Sequence, residues 1–340
     1  MAAVEDIGID LGSSNVLICE RGKGIVLNEP AVLAVNHDTR NIISIGHEAY
    51  QMMGREPAGI SVVRPLQRGT IQDFDMLSIL LNYFVMRVVG KHLFNRPRAL
   101  LSVSATANEI EKRQLILGML EAGARRTQLI ERPLAAAIGA GILINEVSGR
   151  MVADIGGATT DIAVISSGEI MARSIQESAG DQITDAIIRY IRLKHNLLIG
   201  WRTAEDVKSA IGSVDPEDQN ELSLPVAGRN LVSGLPRQVD ITSVEIVEAV
   251  EEPLRQLVEG FHSVIERIPA ELANDVFDDG IVLTGGGASL RGLSSVLQRE
   301  MQIPVYVAEH PQECIALGCG LALERPGEYQ RILGDARKRR

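Results

Sequence analysis

Ile7-Gly8-Ile9-Asp10-Leu11-Gly12-Ser13-Ser14-Asn15-Val16-Leu17-Ile18-Cys19 and Met151-Val152-Ala153-Asp154-Ile155-Gly156-Gly157-Ala158-Thr159-Thr160-Asp161-Ile162-Ala163-Val164-Ile165 are two versions of one pattern. An apolar run ends in Asp-x-Gly, a short turn of small residues follows, and a second apolar run returns. Each reads as a strand, a tight glycine turn and a returning strand. Asp154 follows Asp10 by 144 residues, too long a period for a solenoid. A duplicated α/β unit, one copy in each half, fits better. The expected organisation is a first domain over 1–150, a second over 151–330 and a basic tail over 331–340, with a cleft between the two halves. The last C-terminal helix is expected to cross back to the first domain.

The two turns suit phosphate. Glycine lets backbone N–H groups approach an anion closely, and Ser13, Ser14, Thr159 and Thr160 add hydroxyl donors. Asp10 and Asp154, at the strand ends, are placed to hold a hydrated Mg²⁺, which favours one or two carboxylates plus water. One such hairpin alone is ordinary; two matched copies in opposite halves point to a nucleotide cleft. Gly285-Gly286-Gly287 closes a buried strand, Gly280–Thr284, before a helix expected from about 289 to 300. Three glycines weaken both neighbours, and a backbone lying against a flat base or ribose explains them. Neither Gly-x-x-x-x-Gly-Lys-Ser/Thr nor Gly-x-Gly-x-x-Gly occurs, so P-loop and dinucleotide-binding folds are not indicated.

Helices are expected near 75–89, 109–122, 181–195, 203–212 and 243–267, with buried strands at 99–104 and 304–307. Glu111 follows the 99–104 strand, where a carboxylate can orient water toward a γ-phosphate. Asn108-x-x-Glu111 is equally a capping box, so Glu111 has a purely structural reading too. Glu109 is the fallback carboxylate. Cys314 and Cys319 read as packing residues.

The composition bounds the partners. The 340 residues carry a net charge of −10 with a pI near 5.2, which argues against nucleic acid as a main partner. Three cysteines without metal-ligand spacing suit a reducing compartment. Neither a signal peptide nor a membrane-spanning run of about 18 apolar residues is expected. The tail Ala336-Arg337-Lys338-Arg339-Arg340 reads as a solvated end, with lipid contact as an alternative.

These blocks resemble the actin-like ATPase superfamily, and more closely the MreB family of rod shape-determining bacterial actins. The likeness to that family covers nearly the whole chain. It is carried by Gly22-Lys23-Gly24-Ile25-Val26-Leu27-Asn28-Glu29-Pro30, Pro133-Leu134-Ala135-Ala136-Ala137-Ile138-Gly139, His195-Asn196-Leu197-Leu198-Ile199-Gly200 and Leu283-Thr284-Gly285-Gly286-Gly287. The resemblance implies an actin-like ATPase fold, with two facing ribonuclease H-like α/β domains and ATP with Mg²⁺ between them. It implies phosphate contacts at Gly12, Ser13, Ser14, Asn15, Gly156, Gly157, Ala158 and Thr159. Glu205 and Lys208 would flank ribose and base, Gly285, Gly286, Gly287 and Ala288 would form the adenosine loop, and Glu111 would orient the water.

It further implies slow ATP hydrolysis tied to polymerisation into double protofilaments. The filaments would lie at the inner face of the cytoplasmic membrane and organise cell-wall synthesis with other shape proteins. Leu93 and Phe94, in a turn rimmed by Lys91, Arg96 and Arg98, are the expected membrane contact. An actin-fold small-molecule kinase and a nucleotide-gated chaperone are the alternatives. Three departures stand out: Ser13-Ser14-Asn15 for the family's Thr-Ala-Asn, Ala158 and Asp161 for Gly and Glu in the second loop, and Ser104 where a Pro commonly ends the strand.

Overall fold

The computed structural model describes residues 6–67, 69–90 and 96–333. The expected membrane residues Leu93 and Phe94, and the tail beyond 333, lie outside them.

Two five-stranded sheets repeat one topology. The first runs Gly24–Pro30, Asn15–Glu20, Ile7–Leu11, Arg98–Val103, Arg126–Glu131 in space. The second runs Glu169–Gln176, Thr160–Ser166, Arg150–Ile155, Ile281–Thr284, Val305–Val307. In each, three strands form an antiparallel meander and the last two run parallel to the central strand. Both faces of a central strand in such a sheet are covered, so Ile7–Leu11 is buried throughout and Arg150–Ile155 in all but its first residue. The Gly24–Pro30 strand runs through Asn28-Glu29, and Pro30 ends it.

Most helices lie within a residue or two of the expected bounds: Phe74–Val89, Glu109–Glu121, Gly180–His195, Trp201–Ile211 and Ser243–Ile265. The expected 289–300 helix differs. Gly286–Ser289 is a 3₁₀ turn and the α-helix begins only at Leu293. Gly292, with φ 81°, breaks the two apart, and a Cβ there would collide with Asp215. The sequence reading also missed the hairpin Ser223–Asn230/Pro236–Thr242 and the helix Ala270–Asp279.

Each half has its own core, and a third cluster joins them. Leu100 and Ile130 come to it from the first sheet, Val152 and Ile165 from the second. Between them lie two helices, Arg132–Gly139 and Cys314–Glu324, each following the last strand of its own sheet. The second packs on the first sheet: Cys319 Sγ lies 3.8 Å from the Ile9 carbonyl, and Gly8 has no room for a side chain beneath Cys319 and Gly320. The two helices cross at backbone contact. A Cβ on Gly139 would overlap the Cys314 carbonyl, and one on Gly318 the Ala135 carbonyl.

Candidate functional site

The two hairpin turns superpose in their hydrogen bonding. Gly12 N–H donates to the Asn15 carbonyl at 3.0 Å, and Gly156 N–H to the Thr159 carbonyl at 3.0 Å. Register confirms the match, with Leu11 opposite Val16 and Ile155 opposite Thr160. None of Gly12, Gly156 and Gly157 has positive φ, so the left-handed backbone is not why they are glycines. Close approach is: a Cβ on Gly12 would sit 2.7 Å from the Asn15 carbonyl, and one on Gly157 would overlap Ser14 Oγ across the cleft. Ala158 likewise has no positive φ, so its methyl carries no backbone strain. Ser104 stands just past the strand Arg98–Val103, its hydroxyl 2.9 Å from Thr106 Oγ1.

The turns face one cavity of about 710 Å³. Its walls include Gly12, Ser13, Ser14 and Asn15 from the first turn, and Gly156, Gly157, Ala158 and Thr159 from the second. Glu205, Lys208, Gly285, Gly286 and Gly287 line it as well. Ala288 does not: it is 3% exposed and turned into the core of the second half. Gly285 and Gly287 also owe their identity to packing, since a Cβ on either would strike Ile155, and Gly285 has φ 81°. Gly286 has its nearest neighbour, Gln312, at 4.0 Å and is the one of the three that is open.

Lys208 and Glu205 are tied together on one helix. Lys208 Nζ donates to Glu205 Oε1 at 2.6 Å, Thr184 Oγ1 at 2.8 Å and the Gly180 carbonyl at 3.0 Å. Glu111 closes a capping box: its Oε2 accepts from Asn108 N–H at 2.9 Å while Asn108 Oδ1 accepts from Glu111 N–H at 2.9 Å. It borders the cavity, but one carboxylate oxygen is engaged by the helix end.

Several residues at the site went unnoticed in the sequence. Arg64 lines the cavity, donating to Asp181 Oδ2 at 2.9 Å with its guanidinium 4.5 Å above the Trp201 ring. Burial raises the Asp181 carboxyl, against the nearby Arg64 charge. Ser102 and Thr284, from equivalent strands, hold the two aspartates: Ser102 Oγ donates to Asp10 Oδ1 at 2.9 Å and Thr284 Oγ1 to Asp154 Oδ1 at 3.1 Å.

Most consequential is Arg132. Its Nη1 lies 3.3 Å from Asp10 Oδ1 and 3.3 Å from the Leu11 carbonyl, and its Nη2 lies 3.1 Å from Asp154 Oδ2. Its Nε is 3.8 Å from Asp161 Oδ2, beyond a hydrogen bond, and the Asp161 carboxylate has no hydrogen-bond partner among the described residues. Burial pushes the Asp10 carboxyl up, with the Arg132 charge pulling the other way. Burial likewise lifts Asp161 to about 6 against the same charge. Burial alone would lower Arg132, but Asp10, Asp154 and Asp161 outweigh it and keep the guanidinium charged.

Paired five-stranded sheets of one order, with matched hairpins facing across a glycine-lined cavity, define an actin-like protein. The fold aligns with MreB5 of Spiroplasma citri bound to AMPPNP at a TM-score of 0.90 and 35% identity, covering 96% of this chain and 97% of that one. The MamK double helical filament, 21% identical at TM-score 0.79, shares the fold. Within that class, residues 4–331 match the MreB/Mbl protein family. The cell shape-determining protein Mbl of Bacillus cereus is 44% identical over 319 residues, 94% of this chain and 96% of its own length. The cell shape-determining protein MreB of Escherichia coli K12 is 44% identical over 324 residues, 94% of this chain and 93% of its own. The chain belongs to the MreB/Mbl family.

The Mg²⁺ that the family resemblance implies at Asp10 and Asp154 does not fit the donor set. A divalent ion needs carboxylate oxygens open to it and its waters. Here both carboxylates share a guanidinium lodged between them, in side chains only 9% and 3% exposed.

Proposed function

We propose that the chain binds ATP in this cleft and polymerises into filaments at the inner face of the cytoplasmic membrane, where it helps determine cell shape by organising cell-wall synthesis. The observation that carries the reading is the facing pair of hairpins, whose backbone groups and hydroxyls border one cavity. Backbone N–H groups brought close by glycine receive phosphate oxygens. The open face of Gly286 receives the adenosine side, and the Glu205–Lys208 pair flanks the ribose. Residues 1–150 and 151–330 act as two bodies that close on the nucleotide, with Arg64 of the first paired to Asp181 of the second. Membership of a family whose relatives are called cell shape-determining supports the filament and cell-shape part. Binding to MreB5 by AMPPNP and by ADP supports the nucleotide part. Hydrolysis is slow in this reading, because Glu111 is partly committed to its helix cap.

Sedimentation and electron microscopy with ATP and anionic liposomes test the proposal. Filaments on lipid, dependent on nucleotide, are expected. A protein that stays in the supernatant and phosphorylates a small metabolite instead would sink it in favour of the kinase alternative.

A further inference from the structure

Three buried carboxylates, Asp10, Asp154 and Asp161, surround one cation, and that cation is part of the chain. Asp10 and Asp154 each keep a hydroxyl donor from the neighbouring strand, Ser102 and Thr284 respectively, so their orientation is set independently of any ion. Arg132 stands at the first position of the Arg132–Gly139 helix, directly after the strand Arg126–Glu131, and Pro133 follows it. It reaches aspartates of both halves from this fixed junction and is also held by the Leu11 carbonyl. Its side chain is 13% exposed, and that exposed part borders the cavity. A guanidinium carries five donors in a rigid fork suited to carboxylates and phosphates.

We propose that Arg132 takes the place of the divalent cation: nucleotide binds here without Mg²⁺, its phosphate charge met by a guanidinium tethered between Asp10 and Asp154. The proposal rests on the nucleotide reading above. A dication entering between the aspartates meets a fixed positive charge within ion-pair distance of both, and the two cations repel. A divalent ion also competes with Arg132 for Asp10 Oδ1 and Asp154 Oδ2. The tethered cation has no concentration dependence, so occupancy of the site follows nucleotide alone.

Titration of the purified full chain with a fluorescent ADP, in Mg²⁺ and in EDTA, tests this. Wild type is expected to bind within about threefold in the two conditions. Arg132→Gln is expected to weaken in EDTA by about tenfold or more, the scale of one charge-assisted hydrogen bond, and to regain affinity in Mg²⁺. Wild type that weakens about tenfold or more on chelation overturns the proposal. So does an Arg132→Gln chain that binds as tightly as wild type in EDTA. Should Arg132→Gln fail to fold, Mn²⁺ electron paramagnetic resonance on wild type decides. No immobilised Mn²⁺ is expected on the ADP-bound chain, and one Mn²⁺ per bound nucleotide overturns the proposal. If wild type binds no nucleotide in either buffer, the nucleotide reading itself falls and takes this proposal with it.

Discussion

The two halves of the molecule share a framework and differ in their charges. Both build the same five-strand order, the same turn bond and the same strand-end aspartate held by a hydroxyl from the fourth strand, Ser102 in one and Thr284 in the other. At the far end of each central strand, a pair of opposite charges ties it to the fourth strand in the first half and to the helix leading into the fourth strand in the second. In the first half the acid comes first: Asp6 Oδ1 accepts from Arg98 N–H at 3.0 Å and Oδ2 from Nε at 2.9 Å. In the second half the base comes first: Arg150 Nη1 lies 2.6 Å from Asp279 Oδ2. At the cleft the symmetry ends. Among the described residues, only the first half sends an arginine between the aspartates, and only the second closes its fourth strand with three glycines, where the first has Ser104. The lesson is that the duplicated hydrogen bonds hold the cavity open, while the unpaired features decide what it accepts.

The shared framework can be broken at its crossing point. Gly318→Val should cost about 3 kcal/mol or more, because overpacking against the Ala135 carbonyl forces the two central helices apart. Urea unfolding measures it, and a loss below about 1 kcal/mol would mean that the crossing adapts easily. The three-glycine turn sharpens the contrast between halves. Gly285→Ala should cost about 2 kcal/mol, through its positive φ and its clash with Ile155, while Gly286→Ala should stay within about 0.5 kcal/mol. Equal losses would show that the turn acts as one unit.

The strand-start pair gives a smaller effect with a pH signature. Burial pushes the Asp6 carboxyl up, but the bonds and charge from Arg98, with Arg125, outweigh burial and hold it below 3.8. A depressed carboxylate adds stability above its unfolded value and loses it as the pH falls through the folded one. Asp6→Asn should therefore cost about 1–2 kcal/mol at neutral pH, allowing for partial solvent screening, and the gap to wild type should close on acidification below pH 3.8. Melting temperature against pH reads this out, and a gap independent of pH would mean that the carboxylate charge is irrelevant. The smallest stability change is expected at Glu111. Glu111→Ala removes half of a capping box, about 0.5–1 kcal/mol, and should slow phosphate release while leaving nucleotide affinity intact. Unchanged phosphate release would assign Glu111 to the cap alone.

The hairpins were legible in the sequence because everything that makes them is local: an apolar run, an acid, a glycine and a return within about a dozen residues. The same locality exposed the capping box at Asn108 and Glu111. The Arg132 cluster was not legible, since its partners lie 122 residues before it at Asp10 and 22 after it at Asp154. One signal was available. Glu131-Arg132 is a charged pair set between the apolar Leu129-Ile130 and Pro133-Leu134-Ala135, and a charge in such a buried junction needs a partner. The Ser223–Asn230 and Pro236–Thr242 hairpin was missed for the opposite reason. Its residues are largely exposed, Val226 and Ile241 being the two that bury, so apolar alternation is faint. The reading of Gly285–Gly287 as a ligand platform was half the physics; tight packing on Ile155 is the other half.

The helix Cys314–Glu324 has a consequence for how the chain is made. It covers Ile9 from 310 residues downstream. During synthesis the first sheet therefore waits, with one face open, until every strand of the second has emerged. Contacts of such long sequence separation close late and slowly. An isolated first half lacks its own lid, and the exposed face of its central strand is the surface a chaperone would have to guard.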